Sequence, residues 1–348
     1  MNINDAKRAL DTVILKSRVH LYKPIQIAEI LYRIRNFQDV NPLNIEEYRT
    51  QSKRWRDDIC RPLLGRVCTS SAKFQDDLFN AIPPIVLNEL SKENIRTNGA
   101  VEAYIYRCFT NKHDQLSSAL QYCLNAKKED FNIEYFIYSF WTKPGLKRSI
   151  DKIYEIVVYA LFSTLVDALN LKVEVSVDDE HFMLLDEFGD FSKKIMCLDF
   201  SNPTHVQDAK VYRVGVTNAA DRGLDMYSNW GPAIQIKHLT LDISIAENIV
   251  GNISSDHIVI VCKDAEKNTI KSLLNQIGWG NRIQSIVTED DLISWYEKAL
   301  RGKYSDIIGD DLLVCLREEI AYEFPSVEDI PDVLKNRHYE TISDPFWE

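Results

Sequence analysis

The sequence predicts an α/β fold, a mixed sheet flanked by helices and preceded by a mainly helical region. Three observations carry this expectation. Up to residue 148 the apolar residues recur at spacings of three and four, as one face of a helix requires. From Ser149 a long helical pattern gives way to short alternating or wholly apolar runs separated by further helical stretches, the order expected of a mixed sheet covered on both faces. The charge divides at the same place. Residues 1–148 carry 23 Lys and Arg against 17 Asp and Glu, and residues 149–348 carry 18 against 35, within a net charge of −11. A basic lobe joined to an acidic body is the implied organisation.

In the first region Asp5 to Lys16 and Ile25 to Arg35 read as helices, with Pro24 in a first turn where its missing N–H costs nothing. A turn at Asn41-Pro42 precedes a helix through Trp55 and Ile59. Pro83-Pro84 and Asn98-Gly99 punctuate the rest of this region, and Thr142 to Gly145 reads as a linker. Beyond it, Ile150 to Asn170 is a long helix with a wide apolar face. Leu171 to Val177 and Val211 to Val216 are strands, the second running through a glycine-containing turn to Asp225. Ala233 to Leu241 is the next strand, followed by a helix from Ser244 to Ile253 and a buried strand from His257 to Cys262. A helix from Ala265 to Ile277, a strand from Ile283 to Val287 and a helix from Asp290 to Leu300 complete the order. The expected organisation is a mainly helical region over 1–148, an α/β core over 149–310 and a helical extension over 311–348.

A hydrophobic fraction of 45% with 27% charged residues reads as soluble and globular. No run reaches the roughly 18 apolar residues of a membrane span, and the first residues lack a signal-peptide core. Seven cysteines without a Cys-x-x-Cys pair fit reduced thiols in a cytoplasm better than a disulfide framework or a zinc site.

The chemistry concentrates between Asp225 and Lys237. An acid is followed by a turn, Asn229-Trp-Gly-Pro232, and then by a strand carrying Gln235 and Lys237. Alternation along the strand places Gln235, Lys237 and Leu239 on one side and Ile234 and Ile236 on the other. An acid facing an amide and an ammonium suits phosphodiester cleavage. The acid holds a divalent metal, the amide completes its coordination, and the lysine orients the attacking water. The bare spacing is permissive, so its weight comes from the strands and helices around it.

In that order of elements and residues the chain resembles the PD-(D/E)xK nuclease superfamily. Asp225 matches the motif aspartate and Lys237 the motif lysine. Gln235 stands where the superfamily usually has Glu or Asp. Gly223-Leu224-Asp225 followed by Gln-x-Lys resembles the glutamine-containing branch of Mrr-like nucleases. Lys16 to Leu31 and Asn229 to His238 resemble the HaeII family of type II restriction endonucleases more closely. The resemblance implies a catalytic set of Asp225, Gln235, Lys237 and Glu155, the last on the helix before the strands. It implies Mg²⁺ held by Asp225, Gln235, Ile236 and Glu155. Glutamine offers a cation only a neutral oxygen, which is why a second acid is sought; Asp221 is the other candidate. His238 reads as structural.

The reaction implied by the resemblance is in-line attack of water on phosphorus, leaving a 5′-phosphate and a 3′-hydroxyl. Double-stranded DNA is the expected substrate, with RGCGCY as the implied site, and a homodimer supplies two active sites; residues 1–148 are then the region of recognition and dimerisation and 149–310 the catalytic core. Candidate DNA contacts are Arg49, Lys53, Arg54 and Arg56, with Lys16, Arg18 and Lys23 as a second basic cluster. A third, loop-borne candidate is Ser91 to Gly99. Two rivals stand beside this reading: a repair or modification-dependent nuclease of the same fold, and a binding protein in which Gln235 has ended catalysis.

Overall fold

The computed structural model describes residues 2–68, 70–214, 224–276, 278–324 and 330–348. They form two compact units. The first comprises residues 1–126, 132–153 and 320–348, and the second residues 127–131 and 154–319.

The first unit is helical: α1 (Ile3–Lys16), α2 (Tyr22–Phe37), α3 (Ile45–Tyr48), α4 (Gln51–Leu64), α5 (Ala72–Ala81), α6 (Pro84–Arg96), α7 (Ala100–Asn125) and α8 (Ile133–Thr142). Asn2 caps α1 by accepting from the Asp5 N–H at 2.9 Å, and Ala6, Leu10, Val13 and Ile14 bury the expected stripe. Helix α2 is the centre of this unit, with every residue from Pro24 to Leu31 buried. Gly99 ends the α6–α7 turn with a φ of 103°, and a Cβ there would meet the Arg35 guanidinium at 3.1 Å. The loop expected over Ser91 to Gly99 is instead mostly α6. Asn94 lies buried and donates to Glu102 at 2.6 Å, so this segment is withdrawn as a loop-borne recognition element.

The second unit opens in α9 (Ile150–Ala168), and the division between the units falls inside that helix rather than at the expected linker. Next come β1 (Lys172–Ser176), α10 (Leu184–Glu187), α11 (Gly189–Met196) and β2 (Thr204–Asp208). Strands β1 and β2 pair only with each other. The remaining elements are β3 (Val211–Arg213), β4 (Met226–Ser228), β5 (Ala233–Leu241), α12 (Ile243–Asn252), β6 (Ile258–Ala265), α13 (Lys267–Gln276), β7 (Ile283–Val287), α14 (Glu289–Arg301) and α15 (Ser305–Glu323). Among the described residues they build one five-stranded sheet of order β3-β4-β5-β6-β7. Its first three strands are antiparallel neighbours and its last three are parallel.

The meander therefore consists of β3, β4 and β5. The strand expected at Leu171 to Val177 belongs to the separate hairpin, and the polar stretch after it holds β2, which takes up its pairing. Of the strand expected at Val211 to Val216, the last two residues lie outside the described set, as does Ile277. Ala233, Ile258, Ile260 and Cys262 pack under α12 and α13 through Ala246, Ile249, Val250, Ile270 and Leu274. Elsewhere in this unit the Tyr154 hydroxyl of α9 donates to the Cys262 carbonyl at 2.9 Å, and the Tyr296 hydroxyl of α14 donates to that of Val157 at 2.8 Å.

Helix α15 runs through the expected boundary at 310/311, and residues 320–348 close on the first unit. After α16 (Ile330–Asn336), Arg337 forms a two-pronged ion pair with buried Glu29 at 2.7 and 3.0 Å. Arg107 donates to the carbonyls of Ile342 and Trp347 at 3.0 Å each, and Trp347 is fully buried.

Candidate active site

The turn between β4 and β5 explains why an acid and an amide meet. Gly231 adopts a φ of 123°, open to glycine and rare for other residues. The Ser228 N–H donates to the Pro232 carbonyl at 3.0 Å and closes the hairpin. Asn229 ties this turn to the preceding chain. Its side chain donates to the Asp208 carbonyl at 2.8 Å and accepts from the Lys210 N–H at 2.9 Å. The register of the hairpin is set by this turn: Met226 faces Ile234 and Tyr227 faces Ala233.

Asp225 stands immediately before β4, not at the end of a strand, and its carbonyl accepts from the Val214 N–H at 2.9 Å. One carboxylate oxygen, Oδ2, accepts from the Ile236 N–H at 2.7 Å and from the Gln235 amide. Gln235 is only 2% exposed, and Lys237, two residues on, is half-buried. The structure thus joins Asp225, Gln235 and Ile236 and sets Lys237 on the Gln235 side of the strand. Alternation breaks just beyond, where β5 shifts register between Lys237 and Thr240, so Leu239 does not continue the face as expected.

Glu155 is buried in α9. Asp221 and Gly223 lie outside the described residues. His238 is held structurally, its Nε2 3.2 Å from the Glu289 carboxylate and its ring 4.8 Å from that of Tyr154, edge to face. Among the described residues no three His, Cys, Asp or Glu side chains gather as a ready-made metal cluster. What this site offers a cation is a carboxylate, an amide oxygen and the Ile236 carbonyl. These are hard oxygen donors, the kind Mg²⁺ takes with one or two carboxylates and several waters, so the residues fit such an ion.

The basic candidates divide. Lys16, Arg18 and Arg54 are exposed and Lys53 is half-exposed. Arg49 pairs with Asp76, and the Lys23 ammonium lies 3.6 Å from Asp77. Arg56 contradicts its assignment as a DNA contact. Its side chain is fully buried, donating to Asp57 at 2.6 and 2.9 Å, to Gln26 at 3.1 Å and to the Cys68 carbonyl at 3.1 Å. The inner side of α4 is Ser52, Arg56, Cys60 and Leu63, so Arg56 faces inward, and Arg49 precedes the helix altogether. In the second cluster, His20 is buried against Arg66 at 2.7 Å. Burial and the Arg66 charge hold its imidazole down to about 3, and burial holds nearby His113 down to about 4.

Sequence reasoning passed over Tyr212 and Tyr227. They are direct cross-strand neighbours with ring centroids 5.1 Å apart and planes 23° from parallel, and both are more than 40% exposed. Tyr227 pairs with Ala233, so by alternation both rings lie on the Gln235 side of the sheet, one strand step from Asp225. The sequence signal was a tyrosine two residues after the acid, which reads alone as an ordinary strand residue.

These features define an α/β protein whose sheet presents an acid, an amide and an ammonium at one hairpin. The model of the HaeII restriction endonuclease family matches residues 6–339. The chain is 54% identical over 347 residues to the type II restriction enzyme HaeII of Haemophilus aegyptius, covering 99% of each chain. It is 56% identical over 340 residues to the type II restriction enzyme NgoBI of Neisseria gonorrhoeae, covering 96% of each. The protein belongs to the HaeII restriction endonuclease family. No solved structure matches it.

Proposed function

We propose that this chain is a type II restriction endonuclease, cutting double-stranded DNA at a specific site, and that its second unit is a PD-(D/E)xK core. The observation that carries the reading is the bonding of Asp225 to Gln235 and Ile236, two residues and one before Lys237. Family membership over nearly the whole chain supports it.

In this mechanism Asp225 supplies the anionic oxygen of the site. The Gln235 amide and the Ile236 N–H fix the orientation of its carboxylate, so no reorganisation is needed when charge develops. Glu155 is the second acid of the proposed set. A divalent cation, Mg²⁺ on this reading, supplies Lewis acidity and lowers the pKa of water when bound. Asp225, Gln235, Ile236 and Glu155 are the residues that would hold it. Lys237 places a fixed positive charge where the phosphoryl oxygens become more negative, and orients the water that attacks in line. The products are a 5′-phosphate and a 3′-hydroxyl.

Recognition draws on the first unit, where Lys16, Arg18, Lys53 and Arg54 remain available to phosphates. The Tyr212–Tyr227 pair gives the scissile strand a neutral surface beside Asp225. Two chains act together as a homodimer in the cytoplasm on a palindromic site, RGCGCY on the family resemblance. The decisive experiment incubates the protein with long duplex DNA in Mg²⁺ or in EDTA. Discrete fragments in Mg²⁺ alone, mapping to one palindrome, support the reading. A smear assigns a non-specific nuclease, cutting confined to methylated DNA a modification-dependent one, and binding without cutting a catalytically silent derivative.

A further inference from the structure

Residues 183–200 of the second unit invert the usual pattern of a surface helix. Leu184 on α10, Phe188 at the junction of the two helices, and Phe191 and Ile195 one turn apart on α11 all face water. Phe191 is 58% exposed and Ile195 68%. The inward-facing residues are Leu185, Ser192 and Leu198. Met183, Met196 and Phe200 extend the apolar surface, with Phe200 anchored by its ring contact to Phe182 at 4.7 Å. A contiguous patch of this kind marks a surface that is covered in the working state.

We infer that this stripe is the homodimer interface, and that its occupant is the same stripe of a second copy of this chain. Two observations choose that occupant. The first is area. Taking roughly 200 Å² for a large apolar side chain, the seven exposed residues leave about 800 Å² uncovered, the amount one partner contributes to a standard stable interface. The second is charge. Exposed Asp186, Glu187 and Asp190 stand at the N-terminal half of the stripe and exposed Lys193 and Lys194 at its C-terminal half. Within one chain Lys194 pairs with Asp190 at 2.9 Å and Lys193 lies 3.5 Å from Asp199, surface pairs weak enough to exchange for a partner's. A two-fold axis runs the two stripes antiparallel, which sets each acidic half against the partner's basic half. The same surface is thereby complementary to itself. The inference deepens the nuclease reading, since a palindromic double-strand cutter needs two sites related by such an axis. It also moves dimerisation out of residues 1–148, where the sequence had placed it.

The test is the mass of the full chain in solution without DNA, by sedimentation or light scattering at micromolar concentration. The wild-type protein should have twice the 40.3 kDa of one chain. Phe191→Glu combined with Ile195→Glu should weaken association by at least about a hundredfold and give the mass of one chain, with a melt that stays cooperative and no longer depends on protein concentration. Should that variant fail to fold, charge reversal reads the same contact. Lys193→Glu with Lys194→Glu should produce monomers, and adding Asp186→Lys, Glu187→Lys and Asp190→Lys should restore the dimer. A monomeric wild-type protein, or a dimer indifferent to the substitutions, overturns the inference. A dimer that cuts no DNA refutes the nuclease reading and leaves this interface standing, whereas a monomer that cuts does the reverse.

Discussion

Glu102 in the first unit and Asp225 in the second are two acids held by side-chain amides, and their surroundings separate a structural acid from a working one. Asn94 donates to Glu102 and Gln235 donates to Asp225. Around Glu102 the arrangement is sealed. Arg35 reaches both carboxylate oxygens at 2.9 Å, the Tyr339 hydroxyl donates as well, and the carboxylate is fully buried. Such a cluster spends its charge within the fold. Asp225 is half-buried, and its Oδ2 takes both the Gln235 amide and the Ile236 N–H, two neutral donors that orient the carboxylate. Neutral donors orient a carboxylate without bringing an opposite charge of their own, and a half-buried one keeps a side toward solvent.

The contrast is most open to failure at Glu102. Glu102→Gln should cost about 3 kcal/mol of stability, because Arg35 is left beside a buried neutral amide. A melting temperature within a degree or two of wild type would mean that this network is not what stabilises the α2–α7 contact.

Gln235→Glu sharpens the contrast from the other side. Placing a carboxylate at a position only 2% exposed, against Asp225, should destabilise the protein by about 2 kcal/mol in EDTA. Millimolar Mg²⁺ should restore most of that loss, since the cation then separates two acids. If Mg²⁺ leaves the melting of this variant unmoved, the pair is not a cation site.

Acid exposes a third way of burying a titratable group, neither sealed by an opposite charge nor left open. His20 and His113 stay neutral, with folded values near 3 and 4 against an unfolded 6.5. The unfolded chain therefore takes up protons first. Their stability contribution is present above about pH 6.5 and is lost as pH falls, down to about 4 for His113 and about 3 for His20. From pH 7.5 to 5 the loss should be about 2 kcal/mol for each ring and about 4 kcal/mol for the two, and His113→Gln should roughly halve it. An equal slope in wild type and variant would remove these rings from the account.

The smallest effect separates Arg54 from Arg56. Arg54→Ala should leave stability unchanged and lower the log–log salt slope of DNA binding by about one. Binding unaffected at every salt concentration takes α4 out of the interface.

Much of this site is legible in the sequence because its spacing is short. Strand β5 can be read from the alternation of Ala233 to Leu241, and the Gly231 turn brings Asp225 back to Gln235 within a dozen residues. Pairings that depend on distant chain are not legible. Nothing local to Leu171 to Val177 says that Thr204 to Asp208 will claim it. Arg56 defeats the expectation that charge faces water because Gln26, thirty residues earlier, accepts its hydrogen bond. The apolar run after Met183 looks like core by composition, and only its orientation on α11 reveals that it faces outward.

The central claim is that Asp225 is held in place for chemistry rather than for the fold, and Asp225→Asn tests it most directly. The substitution keeps an oxygen for the Ile236 N–H and removes the charge. Cleavage of duplex DNA in Mg²⁺, duplex binding and thermal melting should be measured on the same preparation. Cleavage is expected to fall at least about a hundredfold, with binding and melting close to wild type. Cutting at the wild-type rate, or loss of folding together with activity, would contradict the account.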